Sequence, residues 1–197
     1  MNTRLPRIIS SADFPLAELC SARLDGQLFT LGECWYPIDE VEDETMRATS
    51  LASLVSAKAI LERMTAAWVY GIIPEPRRHH VCVSAAARIH IKPTRRVQIR
   101  EVSLATADTL QFDGVRVTTP VRTVVDLARS IPANCTEADH RHLLFVLTGL
   151  LRYSGHTNTD AVREQCERRS VPHRSLAVAR LDEVDALLSS GQAGPTR

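Results

Sequence analysis

Residues 114–129 read GVRVTTPVRTVVDLAR, and the pattern changes from β to helical at Pro120. Val115 and Val117 alternate with other residues, as in a half-buried strand. Proline suits the first turn of a helix because the backbone N–H that it lacks would have no partner there. Apolar residues then recur at helical spacing: Val121, Val124, Val125 and Leu127. The sequence therefore predicts a strand that leads directly into a helix running through Ala128.

The remaining C-terminal third also has helical patterns. Further helices are predicted to open at Thr136 and to cover residues 159–169 and 175–188, with Pro172 between the last two. Residues 189–197 are small and polar, and we predict that this tail is disordered. Within the helix after Pro120, Arg122 and Asp126 stand at i and i+4, so we expect them to pair along its surface.

Three β patterns precede Pro120, over residues 79–85, 97–104 and 110–118, the last with a hairpin-type turn at Asp113-Gly114. They predict a small antiparallel sheet. Before them, residues 45–63 have a helical pattern. A second helix, capped by Thr65, is predicted to end at Gly71, with Trp68 and Tyr70 as core anchors. The predicted fold class is α+β, with a mixed domain over residues 45–197.

The N-terminal residues 1–44 form a separate unit in this reading. A helix opened by Pro15 and ended by Gly26 is followed by two β-like runs around Gly32. A helix followed by a small hairpin is the back half of a winged helix-turn-helix, here with the first helix reduced or absent. The acidic residues 39–44 supply the boundary. The same elements are equally compatible with a dimerisation or packing role.

Charge is distributed unevenly along a chain whose formal net charge is only +1. Residues 33–44 carry six acidic residues and no basic one, whereas residues 71–100 carry seven basic residues and one glutamate. A basic cluster is typical of proteins that bind phosphate-rich or acidic partners. Two other readings stay open: a solvated surface, and basic residues that protect exposed sheet edges from aggregation.

Composition and motifs exclude several classes of protein. The sequence has no apolar run long enough to cross a bilayer and no signal peptide. Its five cysteines are scattered and include no CxxC, so we expect free thiols and a cytoplasmic location. Nucleotide-binding, kinase and zinc-hydrolase signatures are absent. We therefore predict no catalytic residues, no cofactor and no metal.

Two segments together carry a family resemblance: residues 65–71, which read TAAWVYG, and the VTTPVRTVVDLAR string over residues 117–129. The pair resembles the AbiEi family, the antitoxins of type IV toxin–antitoxin systems, in the form found in actinobacteria. The similarity covers residues 47–129 well and the N-terminal unit loosely. It implies that the string is a structural marker of the family and not an active site.

The resemblance also implies two functions. Such antitoxins neutralise a nucleotidyltransferase-like toxin encoded next door, directly or indirectly, and repress their own operon by binding promoter DNA. Carried over to this chain, DNA binding falls first on Arg4, Arg7 and Arg23, and second on Arg77, Arg78, Arg88, Arg95 and Arg96. A stand-alone DNA-binding regulator is one alternative. The other is an atypical enzyme that silences the toxin by phosphorylation.

Overall fold

The structure is a computed structural model that describes residues 7–85, 94–130, 136–168 and 173–190. The helices are α1 (Leu16–Leu24), α2 (Glu44–Thr49), α3 (Arg63–Val69), α4 (Pro120–Ser130), α5 (Glu137–Tyr153), α6 (Asp160–Arg168) and α7 (Arg174–Ser190). The strands are β1 (Leu28–Leu31), β2 (Cys34–Pro37), β3 (Ile60–Leu61), β4 (His79–Ser84), β5 (Val97–Val102), β6 (Thr109–Phe112) and β7 (Val115–Thr118). A 3-10 turn, Thr106–Asp108, precedes β6. The predicted α+β class is confirmed.

The strands form two sheets. β1 and β2 make a two-stranded antiparallel hairpin, and the other five strands pair in the order β5-β4-β3-β7-β6. This larger sheet is mixed, because β4 pairs with β5 in parallel and β3 pairs with β7 in parallel. The sequence did not indicate the parallel pairs. One of the two involves β3, a strand of only two residues that joins the two halves of the sheet.

The helix that follows Pro120 is surrounded by other helices. α4 packs against α3, α5, α6 and α7. Its start is fixed by Thr119, whose side-chain oxygen accepts a hydrogen bond from the backbone N–H of Arg122 at 3.3 Å. Its last turn is held by Arg180 of α7, whose Nη1 donates to the carbonyl of Ala128 at 2.7 Å. The predicted strand-to-helix transition at Pro120 is therefore confirmed.

The N-terminal helix and hairpin form as predicted, and they pack against the rest of the chain. Leu31, Cys34 and Tyr36 are buried in the main core together with residues of α2, α3 and α4. A smaller core joins Ile9, Leu19 and Leu28, with α1 on the opposite side of the hairpin. The hairpin therefore contributes apolar side chains to both cores.

The helix predicted over residues 45–63 is confirmed only as far as Thr49 and is wrong beyond it. α2 ends at Thr49, and irregular turns follow it. Ile60 and Leu61 are fully buried and pair with β4 on one side and β7 on the other. Burial between two strands outweighs the helical pattern of this segment, which is a weak preference. α3 begins at Arg63, and Thr65 accepts a hydrogen bond from the backbone N–H of His80 at 2.7 Å instead of capping a helix.

Several smaller predictions have a clear outcome. Trp68 and Tyr70 are buried as core anchors, and Cys20, Cys34, Cys82 and Cys166 are free thiols. Cys135 lies outside the described residues. The first two residues of the predicted disordered tail, Ser189 and Ser190, belong to α7, and residues 191–197 lie outside the described part. No helix in the described part is long and apolar enough to cross a membrane.

Candidate functional site

Four of the predicted DNA-binding arginines meet at one end of the larger sheet. Arg77 and Arg78 directly precede β4, and Arg95 and Arg96 directly precede β5. These strands pair in parallel with His79 opposite Val97, and the backbone N–H of His79 donates to the carbonyl of Arg96 at 2.7 Å. The register therefore brings the two arginine pairs to the same end of the sheet, where β4 and β5 begin. We call Arg77, Arg78, Arg95 and Arg96 the arginine edge.

The arginine edge is exposed and mostly unpaired. Arg96 forms an ion pair with Glu33 in the turn of the β1–β2 hairpin. Arg77, Arg78 and Arg95 are exposed and form no ion pair with another described residue. Guanidinium groups suit phosphate oxygens because they offer several N–H donors in one plane. Three such groups at one edge are a suitable surface for a nucleic-acid backbone.

The N-terminal arginines differ in how available they are. Arg7 Nη2 lies 2.6 Å from a carboxylate oxygen of Asp43, and Arg7 Nε lies 3.1 Å from one of Glu40. Its charge is thus compensated by the acidic segment that was predicted as the boundary. Arg23 is exposed in the last turn of α1 and has no ion pair among the residues described. Arg4 and Arg88 lie outside the described residues.

The hairpin turn next to Arg96 is held against the larger domain. The backbone N–H of Gly32 donates to Glu75 at 3.3 Å, and that of Glu33 donates to the carbonyl of Ser50 at 3.1 Å. Gly32 has a φ of +55°, and a Cβ at this position would collide with the side chain of Ser50. The turn is therefore held in place by contacts within the chain.

A chain of ion pairs lies beneath the sheet. Arg100 of β5 donates from Nε and Nη2 to the two carboxylate oxygens of Glu62, both at 2.6 Å. Its Nη2 also lies 3.1 Å from Asp126 of α4. Arg122 contacts Asp126 at 2.8 Å and Asp108 at 2.9 Å. We call these five residues the buried ion-pair chain. It joins β5, α4, the start of α3 and the 3-10 turn.

The predicted Arg122–Asp126 pair therefore exists, but its predicted surface position is wrong. Arg122 is 5 % exposed and Asp126 is 2 % exposed. Arg100 and Asp108, which come from other elements, contact the pair directly, and Glu62 contacts Arg100. No local spacing in the sequence signals these three partners, so sequence reasoning missed them.

The surroundings of the buried ion-pair chain do not favour nucleophilic chemistry. Burial, together with the charge of Glu62, raises the pKa of the Cys82 thiol far above neutral pH, so that the thiol stays protonated. Burial also raises the pKa of Cys166. The carboxylates of the chain are engaged by arginines, and no group of three metal-ligating side chains occurs among the described residues. The arrangement is suited to holding the sheet against the helices.

Comparison with known families gives the identity of the larger domain. The AbiEi antitoxin C-terminal domain matches residues 57–169, which is more than half of the 197 residues. The chain belongs to the AbiEi antitoxin family. The matched range begins just before β3 and ends just after α6, so it contains the arginine edge and the buried ion-pair chain. It leaves out the N-terminal helix and hairpin.

Two further comparisons complete this result. A solved structure, that of the RV2827C protein from Mycobacterium tuberculosis, is similar to this AbiEi chain with a TM-score of 0.46 and 17 % sequence identity. The match covers 97 % of this chain and 78 % of that one. A comparison with curated proteins gives no match.

Proposed function

We propose that this AbiEi protein neutralises a nucleotidyltransferase-like toxin encoded beside it and represses their common operon by binding promoter DNA. The observation that carries the first half is the family match over residues 57–169, which supports an antitoxin role. The second half rests on the unit over residues 1–44 and on the exposed arginines of the sheet. Because Leu31, Cys34 and Tyr36 belong to the main core, both functions are best tested in the full chain.

The arginine edge is the strongest candidate for phosphate contacts. Arg77, Arg78 and Arg95 are exposed without an ion-pair partner among the described residues, whereas Arg7 is already held by two carboxylates. Arg23 is a second candidate, because it is exposed in the last turn of α1 without an ion-pair partner in the described structure. Arg4 and Arg88 stay in the proposal on sequence grounds alone.

Promoter binding is tested by fluorescence anisotropy with the DNA upstream of the gene, over a series of salt concentrations. Each phosphate contact that is lost reduces the salt slope by roughly one. We expect the double variant Arg77→Ala/Arg78→Ala to lower the slope by about two, because each guanidinium releases counterions from the DNA. Arg174→Ala, which removes an exposed arginine from α7, serves as the control and is expected to leave the slope unchanged. An unchanged slope in the double variant would remove the arginine edge from the interface.

Toxin neutralisation is tested with the purified neighbouring protein. Its transfer of labelled nucleotides to total RNA is measured with and without this chain, and its intact mass is recorded before and after. We expect transfer to stop with no change in mass, which would support neutralisation by contact. A mass gain equal to one phosphate would make the chain an enzyme. Transfer that continues at the same rate would argue against direct neutralisation.

A further inference from the structure

A groove on the helical side of the domain has no partner within the described part of the chain. It lies between α5 and α7 and has a volume of about 420 Å³. Its lining residues are Arg141, Leu144, Phe145, Thr148, Gly149, Arg152 and Leu187. We call it the α5–α7 groove.

The centre of the α5–α7 groove is apolar and accessible. Phe145 is 60 % exposed and Leu187 is 42 % exposed, and both line the groove. The α5 residues in the lining recur every three or four positions between Arg141 and Arg152, which gives one continuous stripe. Eleven residues of helix span ~16 Å, or three turns. An amphipathic helix docks in a groove of this length through apolar side chains spaced three or four residues apart.

Both ends of the groove are positively charged. The side chain of Arg141 is 72 % exposed and approaches Glu137 only to 4.0 Å. At the other end, Arg152 donates from Nη2 to the carbonyl of Leu187 at 3.5 Å and forms no ion pair with any described residue. The lining contains no acidic residue. The groove therefore favours a partner with negative charge at both ends and apolar side chains between them.

A buried hydroxyl in the groove wall lacks a hydrogen-bond partner. Thr148 is 7 % exposed, and its Oγ1 makes no hydrogen bond within the described structure. A threonine inside a helix ordinarily donates to the carbonyl one turn earlier. Because this oxygen is itself buried, a partner on the surface does not reach it, and the contacts that the groove offers are those of its apolar centre and its two charged ends.

We propose that the α5–α7 groove binds an amphipathic helix of the cognate toxin. That helix would present apolar side chains to Phe145 and Leu187 and one carboxylate to each of Arg141 and Arg152, about three turns apart. This inference rests on the proposed function and specifies its contact surface. A second copy of the chain is a poorer occupant, because a two-fold contact of the groove with itself would bring like-charged arginines together.

The test is the dissociation constant between the purified full chain and the neighbouring toxin, measured by isothermal titration calorimetry. The variants are Phe145→Glu, which places a charge in the apolar centre, and Arg152→Glu, which reverses one end. We expect each variant to weaken binding by roughly tenfold or more, as for central residues of an interface. Val41→Glu is the control, because Val41 is 80 % exposed outside the groove and should leave the affinity unchanged. Thermal melting confirms that each variant is folded.

The possible results separate the groove from the proposed function. Weaker binding by both groove variants, with the control unaffected, supports the groove. If the wild-type chain inhibits the toxin and both groove variants bind it as tightly as the wild type, the groove is wrong and the function stands. If the wild-type chain neither binds nor inhibits the purified toxin, the groove and neutralisation by direct contact are both wrong. A dimer of this chain that Phe145→Glu dissociates would make a second copy the occupant and overturn the proposal.

Discussion

His80, in β4, lies next to several positive charges. Its ring is half-buried, and its Nδ1 has no hydrogen-bond partner in the described structure. Burial, followed by the charges of Arg63, Arg78, His79 and Arg100, lowers the pKa of His80 to about 4. An unfolded chain would return this pKa to ~6.5. His80 therefore links the stability of the domain to pH.

We predict that the free energy of unfolding falls as the pH is lowered from 6.5 to 4. In this window the unfolded chain binds a proton at His80 that the folded chain does not bind, so acid favours unfolding. The contribution is about 2 kcal/mol after allowance for partial exposure of the ring. His80→Gln should reduce the dependence in urea titrations at pH 7, 5.5 and 4.5, and part of it remains because burial also lowers the pKa of His79. Equal pH dependence in both proteins would show that His80 does not carry it.

Asp126 is the residue on which the buried ion-pair chain depends most, because it contacts both Arg100 and Arg122. Replacing it with asparagine keeps the shape but leaves two guanidiniums with less compensating charge in a buried site. We expect Asp126→Asn to lower the free energy of unfolding by about 3 kcal/mol. Asp113→Asn, at an exposed turn, should change it by less than ~0.5 kcal/mol. If both variants lose the same free energy of unfolding in urea denaturation, the ion pairs of Asp126 do not stabilise the fold.

For helices and strands, the sequence signals that gave correct predictions are local ones. Pro120 marks the first turn of α4. Thr136 and Asp139 form a capping box at the start of α5, with each side chain bound to the other's backbone N–H. β3 was missed because two residues carry no periodicity. Its position depends on pairing with β4 and β7. The residues that pair with Leu61 are Val81 in β4 and Val117 in β7, both far along the chain.

The docked turn of the β1–β2 hairpin can be tested with two glycines. Gly26 and Gly32 both have a positive φ, but a Cβ meets open space at Gly26 and collides with Ser50 at Gly32. Alanine in this conformation costs about 1 kcal/mol. We expect Gly26→Ala to lose about 1 kcal/mol of unfolding free energy and Gly32→Ala about 3 kcal/mol, because the collision adds to the strain. Similar losses by chemical denaturation would mean that the turn does not rest on Ser50.

For the whole molecule, the two proposed surfaces lie on different elements. The arginine edge precedes β4 and β5, and the α5–α7 groove lies between two C-terminal helices. Sequence reasoning found the basic residues of the first surface, but the register that gathers them required the parallel β4–β5 pair. The groove was not found, because Phe145 and Leu187 are indistinguishable in sequence from core residues of their helices.

This separation predicts two independent defects. Arg77→Ala/Arg78→Ala should relieve repression of a promoter–reporter fusion and still protect cells from the toxin. Phe145→Glu should repress the reporter normally and fail to protect, because α5 contributes no residue to the arginine edge. Reporter activity and growth, measured for both variants in the same strain, check the prediction. Joint loss of both functions in either variant would indicate that the surfaces are coupled.

The central claim is that this AbiEi protein is an antitoxin, and growth rescue tests it most directly. The neighbouring gene is induced from one promoter, and the full chain is supplied from a second. We predict that induction alone arrests growth and that the chain restores it. Arrest that the chain does not relieve, or a neighbouring gene that causes no arrest, would contradict the account.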